Sequence, residues 1–442
     1  MKFLESHEML RAFVNKYVNS TRDKSDIVGK ILMALITGTI LLARPSPNKI
    51  QDGLVTGASK ATFYRHIHRL ASEMPGIYKQ VFENLQQYSK LKMHEDGILS
   101  LHEHVIPHSS GEMEGVDWFY STTEDKTILG LSTITMHYFR AGVEYPVDFM
   151  FYRRLEELER HGAAELYKEK NEIAREMLTA ACAMPGSPRI VVMDSFFMTK
   201  ENARLLSNSG RYYVSRPKRN WTCTIDHVKY TFSSLFDTIP ADEFKQTRVE
   251  NPKTGKVRVQ WTAERIVYIP KAGKHKVVFI DCDRQQKDED DPGENEVEKS
   301  ETGRCFRVFV TNNLTWDAAT ILAVYAARWP IKTSYRDMSQ DLNLHGCKWR
   351  QLHGQYCFIA LTFACYLFLT WAKVNKLLTG YNDEQNTIGQ LKEGFSNYYQ
   401  DRFAGWLIEV KQQCETCPIA NWIHDHVYCR SGRNSSTRGV NR

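Results

Sequence analysis

The sequence lacks an internal repeat, a long low-complexity tract and an apolar signal sequence at its beginning. Its ten cysteines, without such a signal and in a chain of 442 residues, are typical of thiols kept reduced in a cytosol. We therefore expect a cytoplasmic protein without disulfides. The hydrophobic content of 42% and the charged content of 25% exclude a disordered tail or a small stapled domain. They predict about two to four folded units.

The sequence also lacks a hydrophobic run long enough to be a clear membrane span. Its most hydrophobic run, YCFIALTFACYLFLTWA, covers residues 356–372. A helix needs about 20 apolar residues to cross a bilayer, and this run follows a region full of charges. We therefore predict a buried helix and no membrane partner.

Charge of one sign is not in large excess, since the formal net charge is only +6. The stretch from Lys287 to Glu301, however, holds eight acids against two lysines. The rest of the chain is therefore distinctly basic. A basic body with one acidic loop fits a polyanionic partner better than an acidic one, although many ordinary basic proteins share this balance.

The order of patterns predicts an α/β protein with five regions. Residues 1–90 alternate apolar helical patterns with polar breaks and predict a helical domain. Residues 91–219 have a β-β-β-α-β-α-β order, and residues 220–311 stay strand-like and predict an all-β insertion. Residues 312–380 predict further helices that close the core. Residues 381–442 predict a C-terminal helical region that ends in a basic tail.

A candidate helix-turn-helix lies in the first region, in the stretch GASKATFYRHIHRL at residues 57–70. Ser59 suits a helix N-cap, and Phe63, Ile67 and Leu70 fall on one helical face. A Gly-containing turn before such a helix fits a recognition helix for the major groove of DNA; a solvated helical face is the alternative. The opposite face carries the candidate DNA-binding residues Tyr64, Arg65, His68 and Arg69.

Three stretches, at residues 97–108, 191–220 and 308–332, resemble parts of insertion-sequence DDE transposases, which have a ribonuclease-H-like core. The stretch VFVTNNLTWDAATILAVYAARWPIK, residues 308–332, resembles their closing helices, where Tyr325 and Arg328 match a Tyr-Arg-Glu-Lys pattern. The stretch VVMDSFFMTKENARLL, followed by RYYVSRPKRN, resembles their second catalytic strand and places Asp194 at the second acidic position. GILSLHEHVIPH resembles the first catalytic strand. The resemblance covers most of residues 50–375.

This resemblance implies a site for divalent cations, because the family cuts and joins DNA with metal ions held by carboxylates. Two such ions activate the attacking oxygen and stabilise the leaving one, and Mg²⁺ prefers carboxylate oxygens. The three acidic positions here are occupied by Glu103, Asp194 and Lys332. Asp194, with Glu103 as a weaker ligand, would hold Mg²⁺ if the chain is active.

The departures from the family pattern point to a degenerate site. Glu103 keeps a carboxylate but adds a methylene, and the match is uncertain by one residue, so that His102 could stand there instead. Lys332 puts a cation where a metal ligand should be, which repels Mg²⁺. Asp337 lies five residues later and faces elsewhere on a helix. Ser339 replaces the lysine of the family pattern.

Several of these residues have ordinary structural explanations. Asp194 could simply cap the helix that follows its strand, and Tyr325 and Arg328 could serve helix packing. The basic run Arg216, Lys218 and Arg219 could contact DNA phosphates, or form a charged surface turn. A zinc site is the less favoured reading of Cys414, Cys417 and Cys429 with His424 or His426, against reduced thiols on a C-terminal helix.

The sequence thus predicts a transposase relative that binds double-stranded DNA and has impaired or lost catalysis. A homodimer is one expectation for such a protein, and association with the nucleoid is another if the host is a prokaryote. The first alternative is an active transposase that cleaves and transfers DNA strands with a variant acidic set. The second is a protein-interaction module on the same fold. Salt-dependent binding to DNA separates the DNA-binding readings from the last one.

Overall fold

The computed structural model describes most of the chain. The described residues are 8–17, 27–42, 45–53, 60–121, 124–251, 255–284, 297–381, 383 and 386–413. The helices among them are, in chain order, α1 Glu8–Tyr17, α2 Ile27–Leu41, α3 Pro47–Gly53, α4 Lys60–Tyr88, α5 Leu155–Arg160, α6 Lys170–Ala183, α7 Lys200–Asn208, α8 Phe232–Asp237, α9 Ala318–Ala326, α10 Trp329–Asp341, α11 Leu352–Val374 and α12 Ile388–Gln413.

The strands join into one mixed sheet. They are β1 Ile98–Pro107, β2 Asp117–Ser121, β3 Lys126–Arg140, β4 Val143–Tyr152, β5 Ile190–Met193, β6 Tyr212–Ser215, β7 Thr222–Ile225, β8 Val228–Thr231, β9 Lys245–Glu250, β10 Val257–Ile269, β11 Gly273–Asp281, β12 Glu298–Lys299 and β13 Cys305–Thr311.

The core of the sheet has the strand order β4-β3-β1-β5-β6. Strands β3 and β4 run antiparallel to their neighbours, whereas β1, β5 and β6 are parallel to one another. This is the mixed sheet of a ribonuclease-H-like fold, and the predicted fold class is confirmed. The short run IVVM of β5 is apolar at every position because it lies in the middle of the sheet, where both faces are covered.

The sequence pattern missed one strand of this sheet. It predicted three strands before the first core helix, but β2 pairs with the first half of β3, beside β4 along the same edge. Trp118 and Tyr120 on β2 are exposed, so this edge strand has no clear apolar alternation to detect.

The segment predicted as an all-β insertion continues the core sheet and also contains a helix. Strand β13 pairs antiparallel with core strand β6, and β11 and β10 follow outward. Helix α8 interrupts the strands, since Thr231 and Ser234 form a capping box at its start. The prediction of purely β structure is therefore wrong at residues 232–237, where two local hydrogen bonds favour a helical turn.

The helix predicted from the most hydrophobic run is buried, as expected. Helix α11 is long and apolar enough to cross a membrane by composition, but 89% of its apolar window lies inside the fold. It packs against α2, α4, α12 and β4. The N-terminal helices therefore share one hydrophobic core with the sheet, through α11. The seven cysteines within the described part of the chain are free thiols.

Candidate active-site pocket

The pocket begins with two side chains at the ends of neighbouring parallel strands. Leu101 of β1 is paired with Met193 of β5, so the next residues, His102 and Asp194, are neighbours too. His102 Nδ1 lies 3.3 Å from Asp194 Oδ2, and the imidazole is buried. The carboxylate thus fixes the orientation of the ring.

Asp194 also holds the turn that follows its strand. Its Oδ1 accepts hydrogen bonds from the backbone amides of Phe196, at 3.0 Å, and Phe197, at 3.2 Å. The next helix, α7, has its own cap, because Thr199 Oγ1 accepts from the amide of Asn202. Both oxygens of Asp194 are therefore engaged within the protein. Asp194 therefore caps the turn after β5 and does not cap α7.

Helix α10 lies over the same face of the sheet and is fixed there by Tyr335. The Tyr335 hydroxyl hydrogen-bonds with the hydroxyls of Thr133, at 3.2 Å, and Thr135 on β3. The Tyr335 ring stacks on His104 of β1 at a centroid distance of 4.0 Å. The position of α10 is thus determined by a buried polar layer. This layer was not predicted from the sequence, although polar residues alternate in both strands, at Thr133 and Thr135 in β3 and at His102 and His104 in β1.

The charges of two cations in this helical region act on His102, and the charge of one of them also acts on Asp194. Arg328, Lys332 and Tyr335 are spaced by four and three residues, which places them on one helical face. Arg328 is buried, and its guanidinium lies 5.0 Å from the centre of the Tyr325 ring. Lys332 is half-buried, with its ammonium 5.2 Å from the Trp329 ring. The pocket therefore contains one carboxylate, one imidazole and two cations.

The pKa values of the central pair reflect this arrangement. Burial lowers the pKa of His102, the hydrogen bond that the ring donates to Asp194 opposes that effect, and the charges of Arg328 and Lys332 lower it further. Burial acts to raise the pKa of Asp194, but the contact with His102 and the charge of Arg328 outweigh it, so the pKa is lowered. The carboxylate is thus ionised at neutral pH and the imidazole is neutral.

Glu103 does not belong to this pocket. Successive side chains of a strand point to opposite faces, so Glu103 lies on the face away from His102. Its Oε1 accepts hydrogen bonds from Ser132 Oγ, at 2.6 Å, and from Lys170 Nζ, at 2.5 Å. The prediction that Glu103 joins Asp194 as a metal ligand is therefore wrong. His102, the alternative for that position, stands beside Asp194.

No other acid replaces the missing carboxylate in the part of the fold that is described. Asp337 lies 3.5 Å from Arg336 Nε and close to Tyr366, so it faces away, as predicted. Ser339 Oγ donates to the Tyr335 carbonyl and contacts His345 Nε2. Within the described residues, no three His, Cys, Asp or Glu side chains are grouped to hold a metal ion.

The residues of this pocket do not fit a pair of divalent cations. Mg²⁺ prefers several oxygen ligands, and its octahedral geometry usually includes carboxylates. Here the single carboxylate already accepts two amide hydrogen bonds and one contact from an imidazole. Lys332 and Arg328 would repel a cation in the same space. That Lys332 disrupts the metal site stays a prediction.

The basic run after β6 divides into buried and exposed residues. Arg216 is buried and donates from a guanidinium nitrogen to Glu298 Oε1 of β12, at 2.8 Å. It is therefore not available to DNA, and the prediction for Arg216 is wrong because β12 supplies an acid from far along the chain. Lys218 is half-buried, 5.7 Å from the Phe196 ring, and Arg219 is exposed.

The candidate recognition helix forms as part of α4. Phe63, Ile67 and Leu70 are buried, which confirms the predicted apolar face. Arg65, His68 and Arg69 are exposed on the other side. Tyr64 is half-buried, and its hydroxyl donates to Asn48 Oδ1 of α3 at 2.7 Å. The predicted cap Ser59 and the candidate zinc ligands Cys414, Cys417, His424, His426 and Cys429 lie outside the described residues.

Acid stability provides a test of the buried histidine layer. Burial, with smaller contributions from His102 and His345, lowers the pKa of His104 to about 3. Because the unfolded chain binds this proton near pH 6.5, stability should be unaffected above about pH 6.5 and fall as the pH drops toward 3. In His104→Phe, which keeps a ring against Tyr335, we expect the midpoint of acid unfolding, followed by circular dichroism, to move to lower pH.

The matched control is His94→Phe, because His94 is an exposed histidine near the start of the same strand. This variant should keep the acid midpoint of the natural chain. An unchanged midpoint in His104→Phe, or an equal shift in both variants, would show that His104 does not resist protonation in the fold.

Taken together, the strand order and the pocket at the ends of β1 and β5 define a protein of the ribonuclease-H-like class. Residues 168–368 match the family model of the transposase DDE domain. Residues 168–368 are therefore similar to a transposase DDE domain, which confirms the resemblance found in the sequence of this region.

Solved structures and curated sequences add little to this assignment. The cryo-EM structure of a piggyBac transposase synaptic complex with hairpin DNA is similar over 100% of this chain and 86% of that chain, with 10% identity and a TM-score of 0.48. No curated protein sequence matches the chain.

Proposed function

We propose that this protein binds double-stranded DNA as a transposase relative and does not cut or join DNA strands by metal-dependent chemistry. The observation that carries the proposal is the composition of the pocket. His102 stands beside Asp194 on the neighbouring strand, and the positive charge of Lys332 on α10 acts to lower the pKa of His102. That the protein is cytoplasmic and that it forms a homodimer both stay predictions.

A strand-cleavage assay tests the catalytic half of the proposal. Full-length protein is incubated with supercoiled plasmid and with labelled duplex, in Mg²⁺ and separately in Mn²⁺. We expect no nicking or strand transfer above a buffer control. Cleavage that Asp194→Ala abolishes would instead establish an active transposase with a variant acidic set, because Asp194 is the carboxylate beside His102 in this site.

The DNA-binding half of the proposal rests on the exposed side of α4. Arg65 and Arg69 are four residues apart and exposed, so they lie along one helical face. Arg69 is only loosely committed to the protein, through an exposed ion pair with Glu73 at 3.0 Å. Exposed ion pairs of this kind contribute little stability, so the guanidinium can exchange its partner for a phosphate.

Removing both arginines should weaken DNA binding and its salt dependence together. For Arg65→Ala/Arg69→Ala we expect the slope of log K against log salt for duplex DNA to become less steep by about 2, because each phosphate contact contributes about 0.9. Fluorescence anisotropy over a series of salt concentrations measures both quantities.

The control for this experiment is Arg204→Ala/Arg248→Ala, which removes two exposed arginines elsewhere and leaves the same net charge. We expect it to keep nearly the full slope. Equal losses in the two double variants would indicate a general charge effect rather than a DNA-binding helix. Salt-insensitive or absent binding in the natural chain would favour a protein-interaction module instead.

A further inference from the structure

One face of the extended sheet is covered by helix α9 over only part of its length. Glu264 of β10 holds the start of this helix, because its Oε1 accepts a hydrogen bond from the amide of Ala318 at 2.7 Å. Val278 of β11, which is paired with Glu264, lies in the hydrophobic cluster beneath α9. Further along β10, Ile266 and Tyr268 point to the same side as Glu264, and they are 54% and 51% exposed. The strands beyond the start of α9 therefore present an uncovered surface.

The pairing register places a lysine on each side of Tyr268. Tyr268 lies opposite Lys274 of β11 and Thr224 of β7, and Thr224 lies opposite Lys229 of β8. Residues that lie directly opposite each other on antiparallel strands point to the same face. Lys229 and Lys274 are both exposed. The surface thus carries an aromatic ring with a positive charge on either side.

A second aromatic group lies on the same surface. Tyr212 of β6 is 41% exposed, and the centre of its ring lies 5.4 Å from that of Trp316. Lys276 of β11, which is paired with Ile266, donates a hydrogen bond to the Trp316 carbonyl at 2.8 Å. The strand order β6-β13-β11-β10 separates Tyr212 from Tyr268 by about 14 Å at the usual strand spacing. The open sheet face is defined by Tyr212, Trp316, Ile266, Tyr268, Lys274 and Lys229.

The two acids beside the open sheet face are already engaged by the protein. Glu264, in addition to its bond with α9, forms an ion pair with Lys276 at 3.1 Å. Asp317 accepts a hydrogen bond from a backbone amide in the first turn of α9 at 2.8 Å. Lys229 and Lys274 therefore give the face a positive charge that these acids do not neutralise.

We propose that the open sheet face binds single-stranded DNA. The bases stack on the rings of Tyr268 and Tyr212, and the phosphates lie beside Lys229 and Lys274. A single strand exposes the faces of its bases, and stacking on aromatic side chains accepts any base because every base has such a face. The inference goes beyond the proposed function, which concerns duplex DNA and helix α4.

Other occupants fit this face less well. A duplex keeps the faces of its bases stacked inside the helix, so the two tyrosines have nothing to stack on. A second copy of the chain, joined through the same face on both copies, would bring Lys229 and Lys274 of each copy together, where like charges repel. The lysines flank the tyrosine ring on the same row of the sheet, which suits a chain that alternates bases with phosphates.

Fluorescence anisotropy with full-length protein and labelled oligothymidylate tests the inference. An oligonucleotide of about 12 nucleotides suits the length that single-strand-binding folds cover. We expect Tyr268→Ala to weaken binding about tenfold, as the loss of one stacked base implies, whereas Tyr268→Phe should keep most of the affinity because it keeps the ring. In Lys229→Gln/Lys274→Gln the slope of log K against log salt should become less steep by about 1.4, because each phosphate contact of a single strand contributes about 0.7.

Tyr120→Ala is the matched control. Tyr120 is a tyrosine of β2 with 56% exposure, and its hydroxyl donates to the acid Asp125 rather than lying among lysines. This variant should keep the affinity of the natural chain. Thermal unfolding of each variant shows that the fold is intact, which we expect because the substituted side chains are exposed.

Five results would overturn the inference. The first two are the absence of oligothymidylate binding and an equal loss of affinity in Tyr268→Ala and Tyr120→Ala. Tighter binding of oligouridylate would make RNA the ligand, and displacement of the DNA by polyglutamate at the same concentration of charge would make the ligand an acidic protein. Self-association in sedimentation velocity that Tyr268→Ala abolishes would make the ligand a second copy of the chain.

The outcomes for this face are separate from those for the proposed function. Arg65→Ala/Arg69→Ala should leave single-strand binding unchanged, and Tyr268→Ala should leave the salt dependence of duplex binding unchanged. Duplex binding without single-strand binding would leave the proposed function standing and remove this inference. Single-strand binding that depends on Tyr268, without duplex binding, would do the reverse.

Discussion

The double variant His102→Asp/Lys332→Glu is expected to bind Mg²⁺ in isothermal calorimetry, whereas the natural chain should show no binding. The two substitutions put carboxylates beside Asp194 on the neighbouring strand and on the helix above it. Three carboxylates within one pocket repel one another unless a cation neutralises them. We expect a dissociation constant of roughly 0.1–1 mM, the range of weak carboxylate sites for divalent cations. The midpoint of thermal unfolding should also rise with added Mg²⁺, because a ligand that binds the folded chain stabilises it.

The informative comparison is Glu103→Asp/Lys332→Glu. This variant has the same net charge change on α10 but leaves His102 beside Asp194, and its shortened acid stays on the opposite face with Lys170 and Ser132. It should not bind Mg²⁺ in the pocket. If it bound as well as the first variant, Glu103 and not His102 would be the residue at the first metal-binding position.

Phe363→Ala should cause the largest loss of stability among these variants. Phe363 of α11 is completely buried, 5.9 Å from the Tyr78 ring of α4 and 5.0 Å from the Phe149 ring of β4. Removing a buried phenylalanine costs about 3–5 kcal/mol, because transfer energy and packing are both lost. Urea unfolding should show this decrease in the free energy of unfolding.

The same experiment tests whether the N-terminal helices depend on the core. Tyr78 also donates to the Pro146 carbonyl of β4 at 2.9 Å, so α4 and the sheet meet around Phe363. We expect a single unfolding transition in the natural chain. Leu166→Ala is the control, because Leu166 is 62% exposed and its truncation should change stability by less than about 0.5 kcal/mol. A loss of similar size in both variants would contradict the packing described here.

Much of the fold was accessible from local sequence patterns. The apolar run that became α11 and the alternation that gave β1, β3 and β4 are properties of short segments. Periodicity reports the buried face of such segments directly, which is why Phe63, Ile67 and Leu70 were assigned correctly. Strand β2 and helix α8 were missed because both are short. Strand β2 lies at an exposed edge of the sheet, and the start of α8 is marked only by a two-residue capping box.

The candidate site was only partly accessible. The resemblance to a family identified Asp194 and the cation at Lys332, since each lies in a recognisable stretch. It did not decide whether His102 or Glu103 occupies the first acidic position of the family. The order of two adjacent residues does not say which side chain lies on the same face of the sheet as Asp194. The register Leu101↔Met193 decides the question. A shift of one residue would exchange the two faces.

The sequence by itself indicated the transposase DDE domain, most of the order of helices and strands, and the lysine in place of a carboxylate on the closing helix, because these depend on residues close together in the chain. Only the tertiary structure decided that His102 pairs with Asp194, that Tyr335 fixes α10 over them, and that Glu298 removes Arg216 from the surface. Each of these contacts joins residues 82 or more positions apart. Such contacts follow from the pairing register and the packing of whole elements, which no local pattern records.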